Sequence, residues 1–268
     1  MKHNRTPKTS KICKKTAQSN QSNIKAYKLL SLQEGISTNK AKQLIDNGVV
    51  QVNGKRLEIA RLALPYDTKF VLIKPKHHTI FEDSNLLILD KSYGIECYAL
   101  EKQYSPYKLI NRLDRDTSGV ILIAKNETIR QKAIQEFKAQ KVKKVYFALV
   151  EGKISEEMEI SENILVQSQQ TKKRAFVSKQ GMKAHTIITP VALIGKQTLL
   201  EICILTGRTH QIRIHLASIQ HPIIGDIIYN KKSSKHAKRL MLHCHKTTLF
   251  DKEFTSSIDI YQEFGIQP

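Results

Sequence analysis

The sequence predicts an α+β protein: a body built on a mainly antiparallel, mixed sheet, preceded by a small α/β module. Three observations carry that expectation. Positive charge gathers at one end, where the first 75 residues hold +11 of the chain's formal +20. After a polar start, those residues spell out two short helices and a small sheet. Beyond residue 79, strand-length apolar runs outnumber helical ones without strictly alternating with them. That pattern favours an antiparallel α+β sheet over a doubly wound parallel one.

Residues 1–23 hold six Lys or Arg, no acid and almost nothing apolar, so a flexible basic tail is expected. A compact module is expected over residues 24–75. Ile24, Tyr27, Leu29, Leu30 and Leu32 are spaced for a helix that Gly35 ends. Ser37 is suited to cap a second helix through Lys40, Ala41, Leu44 and Ile45, with Gly48 at its close. Val49 to Leu57 alternates around Asn53-Gly54, a strong hairpin signal, and Thr68 to Ile73 supplies a further strand. Lys40, Lys42, Lys55 and Arg56 form a candidate phosphate-facing set, although charge alone equally suits a solvated surface.

The body is expected over residues 79–268. Leu86–Leu89, Val120–Ala124 and Leu199–Leu205 are strand-length apolar runs, and Glu127–Gln140 reads as an amphipathic helix with Ile129, Ala133, Ile134 and Phe137 inward. No internal repeat is visible.

Composition narrows the function. Forty-four basic against 24 acidic residues, with an isoelectric point near 9.8, point to a polyanionic partner. No apolar stretch approaches the roughly 20 residues of a membrane span. Cys13, Cys97, Cys203 and Cys244 are scattered, which suits four reduced thiols in a cytoplasmic protein rather than a disulfide framework or thiolate zinc site. His210 with His215, and His243-Cys244-His245, fit no metal-ligand spacing with carboxylate support.

Three islands carry candidate chemistry. Asn111-Arg112-Leu113-Asp114-Arg115-Asp116-Thr117-Ser118-Gly119 is a polar loop entering a hydrophobic strand; by itself it suits a turn as well as a site. Lys143 to Gly152 is an alternating strand in which Tyr146 reads first as half-buried. Leu205 to Ala217 turns through Gly207 into a helix with Arg208, His210 and Arg213 near its start, a donor-rich place for an anion.

Together these islands resemble the RluA-type pseudouridine synthases, which isomerise uridine to pseudouridine in structured RNA. Gly181–Thr186, His221–Asp226 and Arg239–His243 extend the resemblance over residues 79–255. Ser37–Ala41, Leu44-Ile45, Gly48–Val50 and Val52–Lys55 resemble the S-four-type RNA-binding module. The first resemblance implies that Asp114 is the catalytic aspartate, acting at C1′ or C2′ of the ribose, and that Arg213 pairs with it. Tyr146 would stack on the uracil and is a candidate for handling the C5 proton; Arg112 would enter the space left by the flipped nucleotide. Arg208 and His210 are placed with the RNA-contacting groups. The family uses no metal or organic cofactor. Large-subunit ribosomal RNA is the expected substrate, transfer RNA the alternative, and a non-catalytic RNA chaperone or assembly factor the rival from another class. No membrane and no obligate protein partner are expected. Three features depart from the family pattern: Asn111 stands where His is usual, Lys91-Ser92-Tyr93-Gly94 replaces Lys-Pro-x-Gly, and the span between Gly94 and Asn111 is short.

Overall fold

The computed structural model describes residues 23–46, 49–57, 59–72, 77–169, 172–230, 237 and 239–267. All but the last residue of the expected basic tail lies outside them, as do Gly48 and Ile73. The chain divides into two compact units, residues 1–74 and 75–268.

The first unit runs β1 (Ile24–Lys25), α1 (Ala26–Glu34), α2 (Thr38–Asp46), β2 (Val50–Val52), β3 (Lys55–Arg56), β4 (Ala63–Leu64) and β5 (Phe70–Leu72). Gly35, left-handed at φ 62°, closes α1 by donating its N–H to the Ser31 carbonyl. Ser37 Oγ accepts the Lys40 N–H at 3.2 Å and caps α2. Asn53 and Gly54, at φ 50° and 73°, turn the β2–β3 hairpin. Ala26, Leu30, Ala41, Ile45, Val50 and Leu57 close a separate small core. One boundary differs from the sequence reading: Ile24 lies in β1, paired with Leu64, rather than in the helix. The reason is hydrogen bonding. The first N–H groups of α1 donate to the carbonyls of Leu62 and Ala60, which ties the incoming chain to that segment.

The second unit contains β6 (His78–Glu82), β7 (Leu86–Lys91), α3 (Cys97–Gln103), β8 (Lys108–Leu109), β9 (Ser118–Ala124), α4 (Glu127–Lys138), β10 (Lys144–Glu151), β11 (Met158–Ile160), β12 (Ile164–Gln169), β13 (Lys172–Val177), β14 (Thr186–Ile194), β15 (Gln197–Ile204), α5 (Gln211–Ser218), β16 (Leu242–Leu249), β17 (Lys252–Thr255) and α6 (Ile260–Phe264). Its main sheet has the order β11-β14-β15-β10-β16-β9-β7-β6, with β17 on β16 and β8 on β9. Every pairing is antiparallel except β16 with β9. The architecture is therefore the expected α+β type with a mixed, mainly antiparallel sheet. No helix among the described residues is long and apolar enough to cross a membrane.

Local chemistry explains the elements that matter most. The apolar runs at Leu86, Val120 and Leu199 became central strands because both faces are covered, and β7 and β9 are buried along their whole length. Asn126 Oδ1 accepts the Ile129 N–H at 2.9 Å and starts α4. In the single parallel pairing, Ser118 and Gly119 face His243 and Cys244. Gly119 has φ 112°, and a Cβ there would lie 2.1 Å from the Cys244 carbonyl oxygen. This close approach joins the two halves of the sheet at the end of the Asn111–Gly119 loop.

Gly119→Ala should therefore destabilise the protein by more than about 3 kcal/mol, combining backbone strain with a steric clash that no side-chain rotation relieves. Denaturant unfolding monitored by circular dichroism measures it; a midpoint equal to that of the unaltered protein would contradict the close-approach argument.

Candidate active site

Three segments of the second unit converge. The loop between β8 and β9 carries Asp114, whose carbonyl accepts the Thr117 N–H at 3.2 Å, so the carboxylate sits at the head of a tight turn. Arg115 Nε bonds Asp116 Oδ1 at 2.9 Å, which turns that second acid onto its own neighbour. α5 carries Arg213, and β10 carries Tyr146.

Arg213 is nearly inaccessible, its side chain only 5% exposed, on a helix otherwise lined by Ile212, Ile214 and Leu216. A guanidinium in such surroundings needs anionic partners. The Nε and Nη2 donors bond the two oxygens of Asp226 at 2.7 and 2.8 Å, a bidentate pair. The remaining edge donates through Nη1 to Asp114 Oδ2 at 3.2 Å. Burial works against the charge on Arg213, but Asp226 and Asp114 override it and hold its pKa above the ordinary arginine value. Burial likewise opposes ionisation of Asp226; the guanidinium, with the N–H groups of Tyr229 and Ile228, holds its carboxyl below the usual range. Asp114 is thus offered one hydrogen bond and keeps its other oxygen free of Arg213.

The approach to α5 is fixed by Gln211. Its Oε1 accepts the Arg208 N–H at 3.1 Å and the Thr206 hydroxyl at 2.8 Å. Its Nε2 donates to the His185 carbonyl and Thr186 Oγ1. Arg208 Nε donates to the Lys183 carbonyl at 3.1 Å. His210, left-handed at φ 55°, places Nε2 3.7 Å from Asp114 Oδ2 and Nδ1 3.0 Å from the Tyr229 hydroxyl.

Tyr146 is 6% exposed. A bulge in the β10–β16 pairing, between Val145 and Tyr146, sets its register against Cys244. Burial pushes the phenol well above its ordinary pKa. Beside it on β10, Lys144 is buried next to Gly207 and the Phe137 ring, and burial pushes its pKa down.

At the departures from the family pattern, Ser92 stands where proline is usual, and its carbonyl accepts from the preceding Lys91. The buried Lys91 Nζ donates to the carbonyls of Ser92, Ile95 and Arg115 at 3.0, 3.0 and 3.1 Å, pinning the Asp114 loop to the end of β7. Burial pushes the Lys91 amine down to about 8. Asn111 Oδ1 accepts the Leu122 N–H at 2.8 Å, while its buried amide nitrogen has no partner. α3 and β8 fill the short span after Gly94.

With this geometry in place, the comparisons with known proteins are decisive. The family described as RNA pseudouridylate synthase matches residues 69–218. The chain belongs to this family. It is 52% identical over 232 residues to an "uncharacterized RNA pseudouridine synthase" of Helicobacter pylori J99, covering 86% of this chain and 95% of that protein. It is 31% identical over 242 residues to the "ribosomal large subunit pseudouridine synthase C" of Buchnera aphidicola subsp. Acyrthosiphon pisum, covering 75% and 77%. In fold it matches human RNA pseudouridylate synthase domain containing 1 with a TM-score of 0.59 at 24% identity, over 68% of this chain and 84% of that one. The protein is an RNA-modifying isomerase.

Asp114, Arg213 and His210 come together at the α5 end of this synthase body; Arg208, in the turn before α5, reaches the Lys183 carbonyl instead, and Tyr146 lies in β10. Arg112 is exposed on the same loop as Asp114. In the first unit, Lys40 and Lys55 are exposed, Lys42 Nζ lies 4.5 Å over the Tyr27 ring, and the Arg56 side chain is outside the described residues. Sequence reasoning missed Asp226 and Tyr229. The signal for Asp226 was an arginine in the middle of an apolar helix, which demands a second buried acid beyond Asp114.

It also missed a buried polar chain behind the loop. Arg239 Nη2 donates to Ser118 Oγ at 2.7 Å, and Ser118 Oγ lies 2.8 Å from His243 Nδ1. His243 Nε2 is 3.0 Å from Ser256 Oγ, whose hydroxyl donates to Asp90 Oδ2 at 2.6 Å. Arg239 is also salt-bridged to Glu263 of α6. Burial, with Arg239 nearby, pushes His243 down to about 3, so it sits neutral between two hydroxyls.

Because the unfolded chain binds that proton near pH 6.5 and the folded one only near 3, stability should fall as pH drops through this window. Its slope should approach about 1.4 kcal/mol per pH unit from this group. Urea unfolding between pH 4 and 7 tests it: the slope in His243→Gln, which keeps donor and acceptor but cannot titrate, should be shallower than in the unaltered enzyme.

Proposed function

We propose that this enzyme isomerises uridine to pseudouridine at specific sites of large-subunit ribosomal RNA in the cytoplasm, with Asp114 as the catalytic carboxylate. The hydrogen bond from Arg213 to Asp114, made by a guanidinium already anchored on Asp226, carries the reading. A carboxylate beside RNA and out of water tends to take up a proton and lose its nucleophilicity; an adjacent fixed cation keeps it charged and aimed. Asp114 attacks at C1′, or takes the proton from C2′, while the N1–C1′ bond breaks. The detached uracil stays bound, turns, and rejoins C1′ through C5.

The target uridine must leave its stack, which costs a few kcal/mol. Arg112, exposed beside Asp114, occupies the vacated space, and the Tyr146 ring supports the extruded base. Arg208 meets phosphate. Residues 24–75 act as an S-four-type RNA-binding module through Lys40, Lys42, Lys55 and Arg56, giving the sequence-independent part of the affinity. The ribosomal target rests on this basic module and on relatives named for the large ribosomal subunit.

Asp114→Asn should reduce turnover to background while leaving RNA binding intact, and Asp116→Asn should keep most activity. Tritium release from uracil C5 reports both. Mapping pseudouridines in cells carrying Asp114→Asn against cells carrying the unaltered enzyme should show the missing sites confined to large-subunit RNA; missing sites in transfer RNA would overturn the ribosomal assignment.

Replacing Lys40, Lys42 and Lys55 together by Ala should weaken RNA binding about equally across sequences, and flatten its salt dependence by about one unit of slope per lost phosphate contact. Filter binding between low and physiological salt measures this. An unchanged slope would remove the module from the RNA interface.

A further inference from the structure

The isomerisation conserves protons overall but must move one. When C5 forms its bond to C1′, it still carries its hydrogen, and N1 has yet to gain one. Some group must take the C5 proton. Around Asp114, Arg213 is a committed cation, and Tyr146 is a phenol that burial in β10 keeps neutral. Neither is a base.

His210 is different. The Tyr229 hydroxyl donates to the Ala175 carbonyl at 3.0 Å, so its oxygen is left to accept from His210 Nδ1–H, also at 3.0 Å. That fixes the tautomer: the neutral imidazole carries its proton on Nδ1 and presents the Nε2 lone pair, 3.7 Å from Asp114 Oδ2. The edge-on packing of the His210 and Tyr229 rings, centroids 5.7 Å apart, holds the plane. The backbone at His210 is left-handed, an unfavourable conformation for a residue with a side chain, and it aims the ring at the aspartate instead of capping α5.

We propose that His210 is the base that accepts the C5 proton in this reaction; the proposal rests on Asp114 being the nucleophile. As the C1′–C5 bond forms, the Asp114 carboxylate is released. The C5–H electron pair then becomes the C5–C6 double bond, the C6–N1 pair moves onto N1, and the proton passes to Nε2. The imidazolium so formed faces the freed carboxylate. N1 takes up a proton, and Nε2 returns its own to water, restoring the enzyme. The groups facing His210 suit this cycle. Burial and Arg213 favour the neutral ring, Asp114, Asp226 and Asp116 favour the charged one, and the balance falls below the ordinary histidine value.

The test uses the full-length enzyme and bulk RNA from cells that lack it, labelled with tritium at uracil C5, in single-turnover tritium release from pH 5.5 to 8.5. The unaltered enzyme should slow on the acid side as His210 protonates. His210→Gln keeps a donor for Tyr229 but has no base; it should be about 10²–10⁴-fold slower at neutral pH and lose the acid limb. Added imidazole should restore part of the rate of His210→Ala. Urea unfolding should show the fold retained in His210→Gln, and filter binding should set an RNA concentration that saturates it, so that the fall in single-turnover rate is not a loss of binding. The proposal is overturned if the unaltered enzyme shows no acid limb, if His210→Gln works at a comparable rate, or if imidazole rescues nothing. Asp114→Asn in the same assay separates the two readings: its activity would sink the nucleophile, whereas its inactivity beside an unimpaired His210→Gln would sink this proposal alone.

Discussion

A single buried guanidinium organises this enzyme. Arg213 sits in a buried helix where an unpaired charge is untenable, and two acids meet it. Asp226 takes the bidentate edge and fixes the plane of the group; Asp114 receives what remains. The division matters chemically. A carboxylate bound by both oxygens would be a structural ion pair, whereas one held by a single hydrogen bond is oriented and still reactive. The resemblance paired Arg213 with Asp114 alone; the structure gives the two parallel bonds to Asp226 and a single one to Asp114.

The loop carrying Asp114 is held from three sides by different chemistry. Lys91 gathers three carbonyls beneath it, including that of Arg115. Gly119 allows β9 to close on β16 at van der Waals contact. Ser118 joins it to a chain of hydroxyls and imidazole that ends at Asp90. These ties are buried or partly buried, so water competes little for them, and most of their polar groups are satisfied, although Asp90 Oδ1 has no partner among the described residues. Asn111 is another exception, with one amide nitrogen unpaired where the resembled family carries histidine.

Most of the fold was legible because it is written in short-range patterns. Apolar runs, the Asn53-Gly54 turn, the Ser37 cap and the Gly35 stop all act within a few residues. The site was legible in part, since Asp114 and Arg213 lie in continuous motifs. What sequence alone did not show depends on contacts far apart in the chain. Asp226 meets Arg213 across a turn that no local pattern specifies. Ser118 and His243 are 125 residues apart. Tyr146 read as half-buried, and it is only 6% exposed because β10 lies between β15 and β16, strands that come much later in the chain. The start of α1 was misplaced for a similar reason: the partners of its first N–H groups lie at residues 60 and 62.

The parallel pairing of β9 with β16 has a consequence for how the enzyme is born. Strands that run parallel and adjacent, yet lie more than a hundred residues apart, close slowly and late. A ribosome delivers Asp114 well before it delivers His243, Ser256 and Glu263, the groups that brace its loop from behind. The nascent chain therefore carries Asp114 for much of its synthesis without the framework that holds its loop. That loop is fully braced only as the final strands dock.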